Sequence, residues 1–261
     1  MAEKVVVITG ASEGIGAALA KTLAAEGHRL VLAARRKEKL EAVAATCGQK
    51  AIAVVADVTR RADVEAIRDE ALRRFGRIDV WVNNAGRGIS RKVLELSDAE
   101  VDEMMAVNLK SALYGMQVAV PYFQQRGEGQ LINVSSFLGR IPMATIRSAY
   151  SAAKAALNSI TTTLRLELMA THPNIHVTLV MPGMVRTAFA QNALGGTPEL
   201  APGRSPPPGV PAAQSAEEVA AAIAAAIANP VPEVYTNPQQ ARLVADYFQD
   251  VAGFERRMAS R

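Results

Sequence analysis

Val5-Val6-Val7-Ile8-Thr9-Gly10-Ala11-Ser12-Glu13-Gly14-Ile15-Gly16 is the stretch whose reading decides the fold. Residues 4–9 carry a dense β-branched run, the pattern of a strand buried on both faces of a parallel sheet. Leu19, Leu23 and Ala24 then fall at helical spacing before a stop at Gly27. Between strand and helix, positions without a side chain let the backbone approach a pyrophosphate, and the amides that open the helix offer partial positive charge. Glycines in a loop say little alone. Set between a buried strand and a helix they read as a nucleotide cradle.

Moving outward, the strand-then-helix pattern repeats. A second strand over 28–33 ends in Ala34-Arg35-Arg36, ahead of a helix over 37–46. That strand end should meet the adenosine ribose, where an acid suits a free 2′-hydroxyl and arginine suits a 2′-phosphate. Arg35 and Arg36 therefore favour NADP(H) over NAD(H), although a solvated pair flanking a helix explains them too, and Glu13 places an acid in the glycine loop. A third strand over 51–55 leads to Asp57-Val58. Asp57 can accept from an adenine amino group, or it can cap the helix over 60–75, a role open also to Thr59. A fourth strand over 78–82 runs into Asn83-Asn84-Ala85-Gly86, a turn-forming cluster placed beside the first strand and so at the ligand crevice.

Ser97 and Glu100 are spaced as a capping box opening a long helical region that Gly127 and Gly129 close. Asn108, a mediocre helix former, lies inside it, either buried at an irregularity or facing solvent. A fifth strand over 130–134 delivers Ser135 and Ser136 to its C-terminal end, and Tyr150-Ser151-Ala152-Ala153-Lys154 opens an Ala-rich helix over 150–170. Tyr150 and Lys154, four positions apart, leave one helix face. A phenol titrates near pH ~10, so acid/base work near neutrality asks for about 4 kcal/mol, and a cation at ~4 Å supplies about that at an effective dielectric of ~20. An amphipathic surface pair would have the same spacing.

A sixth strand over 175–180 is followed by Met181-Pro182-Gly183-Met184-Val185-Arg186-Thr187, and then by a Pro/Gly-rich stretch at 195–211. Because it leaves a strand end on the crevice side, residues 188–214 read as a mobile substrate lid, with a plain linker as the alternative. Ser215 caps a helix to about Asn229, and 233–236 reads as a short last strand. In the tail, 238–261, Leu243, Val244, Tyr247, Phe248, Val251, Phe254 and Met258 form an apolar stripe on one amphipathic helix, suited to packing on its own domain or on a second subunit. The fold expected is α/β: a single Rossmann-like domain over 1–261, doubly wound, with a mainly parallel seven-stranded sheet and helices on both faces.

Composition narrows the function classes. The chain has 261 residues, 49% of them hydrophobic, enough for a large core in one domain. Its net charge of +4 is spread along the sequence without a Lys/Arg block, which argues against nucleic acid as a partner. A single cysteine, Cys47, allows no internal disulfide, and no hydrophobic run is long enough for a signal segment or a membrane span, so the expectation is a cytoplasmic protein with no membrane association. His28, His172 and His176 show no metal-ligand spacing and are expected at the surface. Met143, Met184 and Phe189 hint at an apolar ligand, though methionine is commoner in a core.

Taken together, Thr9-Gly10-Ala11-Ser12-Glu13-Gly14-Ile15-Gly16, Asn83-Asn84-Ala85-Gly86, Asn108, Ser136, Tyr150 with Lys154, and Pro182-Gly183 with Thr187 resemble the short-chain dehydrogenase/reductase family from residue 4 to about 187. The resemblance implies Tyr150 as catalytic acid/base, Lys154 as the group that lowers its pKa and holds the nicotinamide ribose, Ser136 as the donor to a substrate carbonyl, and Asn108 as holder of a water leading to Lys154. It implies that Gly10, Ser12, Gly14, Ile15 and Gly16 line the phosphates, and that Asp57, Val58, Asn84, Ala85 and Gly86 meet the adenosine and ribose portions. Pro182, Gly183, Val185 and Thr187 would meet the nicotinamide. The interval from Ser136 to Tyr150 is one residue longer than the family pattern, with Ser135 and Ser148 nearby as other candidates. The activity implied is NADP(H)-dependent hydride transfer to and from a small carbonyl or secondary alcohol, without a metal, by a homodimer or homotetramer joined through the helices over 97–126 and 150–170. The alternatives are an NAD(H)-linked alcohol or steroid dehydrogenase and a catalytically silent cofactor-binding sensor.

Overall fold

The computed structural model describes residues 2–196 and 212–259. Its elements run β1 (Val5–Thr9), α1 (Gly14–Ala25), β2 (Arg29–Ala34), α2 (Lys37–Cys47), β3 (Ala51–Val55), α3 (Arg61–Phe75), β4 (Val80–Asn83), α4 (Asp98–Met105), α5 (Ser111–Arg126), β5 (Gly129–Val134), α6 (Ser148–Met169), β6 (Ile175–Met181), α7 (Ala216–Ala228), β7 (Glu233–Tyr235), α8 (Gln239–Gln249) and α9 (Val251–Ala259). The seven strands form one sheet in the order β3-β2-β1-β4-β5-β6-β7, with every pairing parallel. Strand ends differ from the sequence reading by one or two residues.

Alternation along the strands divides the core into two layers. Val6, Ile8, Leu30, Leu32, Val80, Val82 and Ile132 point to one face, where α1, α2 and α7 cover them. Val7, Val31, Trp81, Leu131 and Val177 point to the other, under α3, α5 and α6. Chain order reverses between β1 and β4, so the loops leaving their C-terminal ends diverge and open a crevice. Across it Thr9 Oγ1 accepts from the amides of Asn84 (3.0 Å) and Ala85 (3.2 Å), tying the glycine loop to the Asn84 turn.

Several expectations change. Neither Asp57 nor Thr59 caps α3, whose N-cap is Arg60 without a side-chain bond; Asp57 instead accepts from Thr59 N (3.0 Å) and Thr59 Oγ1 (2.8 Å), closing a tight turn of its own. His28 is buried, because its Nδ1 accepts from Lys4 N at 3.1 Å beside the start of β1. The tail is two helices rather than one, broken at Asp250, whose Oδ1 accepts from Gly253 N at 2.8 Å. Their apolar side packs on this same domain: Leu243, Val244, Tyr247, Phe254 and Met258 meet Phe137, Ile141 and Met143. Of the expected lid, 197–211 lies outside the described residues, while Leu194 is bridged to Ile89 and Gln214 to Val185. Among the described residues no helix is long and apolar enough to cross a membrane.

Candidate active site

A cavity of about 610 Å³ runs along the C-terminal edge of the sheet. Of the residues singled out from sequence, Gly10, Ser12, Gly14, Ile15, Arg35, Arg36, Asp57, Val58, Asn84, Ala85, Gly86, Ser136, Tyr150, Lys154, Pro182, Gly183, Val185 and Thr187 line it. Gly16 and Asn108 stand behind its wall. A Cβ on Gly16 would lie 2.5 Å from Gly10 O, so its role is to let α1 close against the glycine loop. At Gly10, φ is +67° and a Cβ would come within 2.8 Å of Ala85 Cα, so both the conformation and the space require glycine. With the first amides of α1 following Glu13, this backbone fits a dinucleotide pyrophosphate.

Charges at the end of the cavity beside β2 and β3 are partly exposed. Arg36 Nη2 lies 2.8 Å from Glu13 Oε1 and donates to Ser12 Oγ at 3.0 Å, while Lys39 Nζ stands 3.6 Å from Glu13 Oε2. The same carboxylate accepts from Asn192 Nδ2 at 2.6 Å, so it reaches the segment after β6. Burial pushes the Glu13 pKa up, but Arg36 and Lys39 outweigh it and hold the carboxyl below its usual range. Asp57 follows the same pattern: the bonds from Thr59, with Arg35 and Arg60 nearby, overcome burial and lower it.

The opposite end is built from buried groups. β5 delivers Ser136 into a 3-10 turn, Phe137–Gly139, where its Oγ accepts from Leu138 N at 3.2 Å. With that lone pair used, the hydroxyl proton is free to point elsewhere, and Ser136 stands near enough to the Tyr150 phenol to pull its pKa down. Gly139 allows the close approach, since a Cβ there would stand 2.8 Å from the backbone carbon of Lys154. The other serines are engaged away from the phenol: Ser135 Oγ donates to Asn158 Oδ1 at 2.5 Å and Ser148 Oγ to Arg91 O at 3.0 Å.

Tyr150 and Lys154 share the expected face of α6, which begins two residues before Tyr150. They are 8% and 3% exposed. Lys154 Nζ lies 5.8 Å from the Tyr150 ring centre and donates to Val134 O at 2.9 Å. Burial dominates both groups. It raises the Tyr150 pKa against the opposing pull of Ser136 and Arg147, and it lowers that of Lys154 to about 7. The lowering of the phenol by Lys154 expected from spacing is not seen: the cation that acts on Tyr150 is Arg147, and burial raises its pKa all the same.

Asn108 sits in a π-helical turn, Ala106–Lys110, between α4 and α5. Its Nδ2 donates to Arg87 O (2.9 Å) and Met104 O (3.1 Å), its Oδ1 accepts from Arg87 N (3.1 Å), and a Cβ on Gly86 would lie 3.0 Å from that oxygen and 3.6 Å from Lys154 Nζ. Its side chain therefore pins the turn after Gly86, and the interior polar residue is buried at an irregularity rather than solvated.

Of the three residues that hint at an apolar ligand, Phe189 meets the Tyr150 ring edge-on at 5.5 Å and lines the cavity. Sequence reasoning missed the contacts that hold its segment in place. Arg87, paired with Glu103, donates through Nε to Asn192 O at 3.1 Å, and Leu194 N donates to Gly88 O at 3.0 Å, holding 188–196 against the β4 loop. Nothing local in the sequence signals contacts so far apart along the chain. Met143 and Met184 do not line this cavity: Met143 packs toward the tail helices and Met184 is exposed.

A glycine cradle, a buried Ser-Tyr-Lys cluster and a single cavity joining them define a dinucleotide-linked oxidoreductase architecture. Residues 4–196 match the family model described as short chain dehydrogenase, and the chain belongs to that family, whose members are NAD(P)-dependent dehydrogenases and reductases. It is 41% identical over 190 residues to an uncharacterized oxidoreductase of Staphylococcus aureus, covering 72% of this chain and 81% of that one. Among solved structures it resembles a short-chain dehydrogenase/reductase from Burkholderia phymatum in complex with NAD (TM-score 0.85, 28% identity, 95% and 94% of the two chains). It also resembles a short-chain dehydrogenase from Sphingobium yanoikuyae in complex with NADPH (TM-score 0.78, 29% identity, 98% and 95%).

Proposed function

We propose that this chain interconverts a small ketone or aldehyde and its alcohol with NADP(H), in the cytoplasm, as a homodimer or homotetramer. One observation carries the reading: the buried Ser136, Tyr150 and Lys154 line the same cavity as the glycine cradle. When bound, the nicotinamide supplies or takes the hydride.

The chain's own residues do the rest. Ser136 and Tyr150 orient the carbonyl oxygen, and Tyr150 passes its proton to the alkoxide as it forms. Lys154 holds the nicotinamide ribose and restores the phenol's proton, and Asn108 fixes the turn beside it. Gly10, Ser12, Gly14 and Ile15 hold the phosphates, with Gly16 behind them. Asp57, Val58, Asn84, Ala85 and Gly86 border the adenosine and its ribose, Arg35 and Arg36 meet the 2′-phosphate, and Pro182, Gly183, Val185 and Thr187 receive the nicotinamide amide. Phe189 and Val107 give the substrate end an apolar wall, which excludes water from the transfer. Exposed Leu166 and Met169 on α6 support association through that helix.

An NAD(H)-linked alcohol dehydrogenase is favoured by one observation, the Glu13 carboxylate already occupying Arg36. Fluorescence titration with NADPH and NADH separates the two. A screen of NADPH oxidation against ketones, aldehydes and acyl thioesters tests the reaction; tight cofactor binding with no turnover across that panel would instead mark a sensor.

A further inference from the structure

The tail lies beyond the family match, yet it reaches the cavity wall from behind. Gln240, in the first turn of α8, is 1% exposed. Its Oε1 accepts from Asn237 N at 3.0 Å, which fixes the orientation of the amide, and its Nε2 has no hydrogen-bond partner among the described residues. Buried amides are normally satisfied, so an unsatisfied one marks a place where another requirement set the geometry. That nitrogen faces Gly183: a Cβ built there would stand 2.7 Å from Nε2.

Gly183 is a wall between two spaces. One side lines the main cavity; the other lines a small cavity of about 30 Å³ shared with Phe137, Met184, Gln214, Asn237 and Gln240. The turn is tied to the serine turn as well, because Phe137 N donates to Pro182 O at 2.8 Å, and Phe137 in turn packs against Phe254. The tail helices thus stand directly behind both pieces of backbone that face the reacting end.

We propose that Gln240 is a positioning residue: its carboxamide is the backstop that sets how far the Pro182–Gly183 turn can recede, and so fixes the depth of the nicotinamide pocket. This rests on the function proposed above. A Cβ at Gly183 would have to push the Gln240 amide back, so glycine there keeps the backstop in place, and the tail helices serve as a rear support of the active site.

Four proteins test it: wild type, Gln240→Ala, Gly183→Ala and the double variant. Each is assayed for thermal melting, dinucleotide affinity by NADPH and NADH fluorescence, and kcat and KM with a carbonyl that wild type reduces. Misplacing a reacting group by about 1 Å costs up to about 100-fold in rate, so Gln240→Ala should lower kcat about tenfold with substrate KM and dinucleotide Kd within about twofold. Gly183→Ala should lower kcat at least as much, and the double variant should recover to within about threefold of Gln240→Ala, a non-additivity that independent sites do not show. Gln240→Met, which keeps bulk without the amide, should stay within about threefold of wild type, because the backstop is steric; a loss as large as that of Gln240→Ala would overturn it. Unchanged kcat in Gln240→Ala, or strictly additive losses in the double variant, would overturn the inference alone. A wild-type protein that binds neither dinucleotide would overturn the functional reading and this inference with it.

Discussion

The two ends of the cavity use polar groups in opposite ways. At the end beside β2, Arg36, Glu13 and Lys39 are partly exposed and pair side chain to side chain, and the acid bonds Asn192 as well. At the end beside β5 and α6, Ser136, Tyr150 and Lys154 are buried and two of them are held by backbone, Ser136 by Leu138 N and Lys154 by Val134 O. Exposed ion pairs are worth ~0.2–1 kcal/mol and are easily exchanged, whereas buried groups pay desolvation and hold a single geometry. The first end can therefore adapt to what binds it, and the second cannot.

The sharpest test of that contrast lies at the fixed end. Tyr150→Phe keeps the ring that packs on Phe189 and removes only the hydroxyl, so kcat should fall by roughly 10²–10⁴-fold while NADPH affinity stays near wild type. Retained turnover in a variant that binds cofactor normally would remove the phenol from the mechanism.

Lys154 offers a test that needs no substrate. Burial sets its pKa at about 7 in the fold, against 10.5 for the ordinary side chain. Between those values the unfolded chain holds a proton that the folded chain has released, so this group makes stability rise with pH across that window and leaves it flat below. Urea unfolding at about pH 6.5 and about pH 9.5 should show that rise in wild type, and its loss in Lys154→Met, as a change of a few kcal/mol at most once relaxation is allowed. A slope that survives the substitution would place the titrating group elsewhere.

The contrast also explains what was legible in advance. Strands 5–9 and 29–34 were readable because burial on both faces demands unbroken apolar runs, and Gly10 because only glycine meets both its positive φ and its contact with Ala85. Tyr150 and Lys154 were readable as neighbours because helical spacing fixes them. Their pKa values were not, since desolvation depends on how β5, α4 and the segment carrying Phe189 close over α6. The Glu13–Asn192 contact joins residues 179 apart in sequence, and no local pattern encodes it. The apolar stripe of the tail continues across Asp250 and so predicts one helix, whereas the break there comes from a side-chain cap that hydrophobic period does not register.

At the adaptable end the effects should be smaller and should discriminate between cofactors. Arg36→Ser should weaken NADPH by roughly ten- to 150-fold and leave NADH nearly unchanged, since a charge-assisted bond to phosphate is worth ~1.5–3 kcal/mol. Glu13→Gln should act in the opposite direction. The Arg36–Glu13 pair is partly exposed, and releasing a guanidinium from such a pair returns ~0.2–1 kcal/mol, so NADPH should tighten by about two- to fivefold while NADH holds. Raising salt should shrink the gain, because both the pair and the phosphate contact are screened. If instead NADPH and NADH shift together, Glu13 acts through its bond to Asn192, governing access to the whole cleft rather than the choice between cofactors.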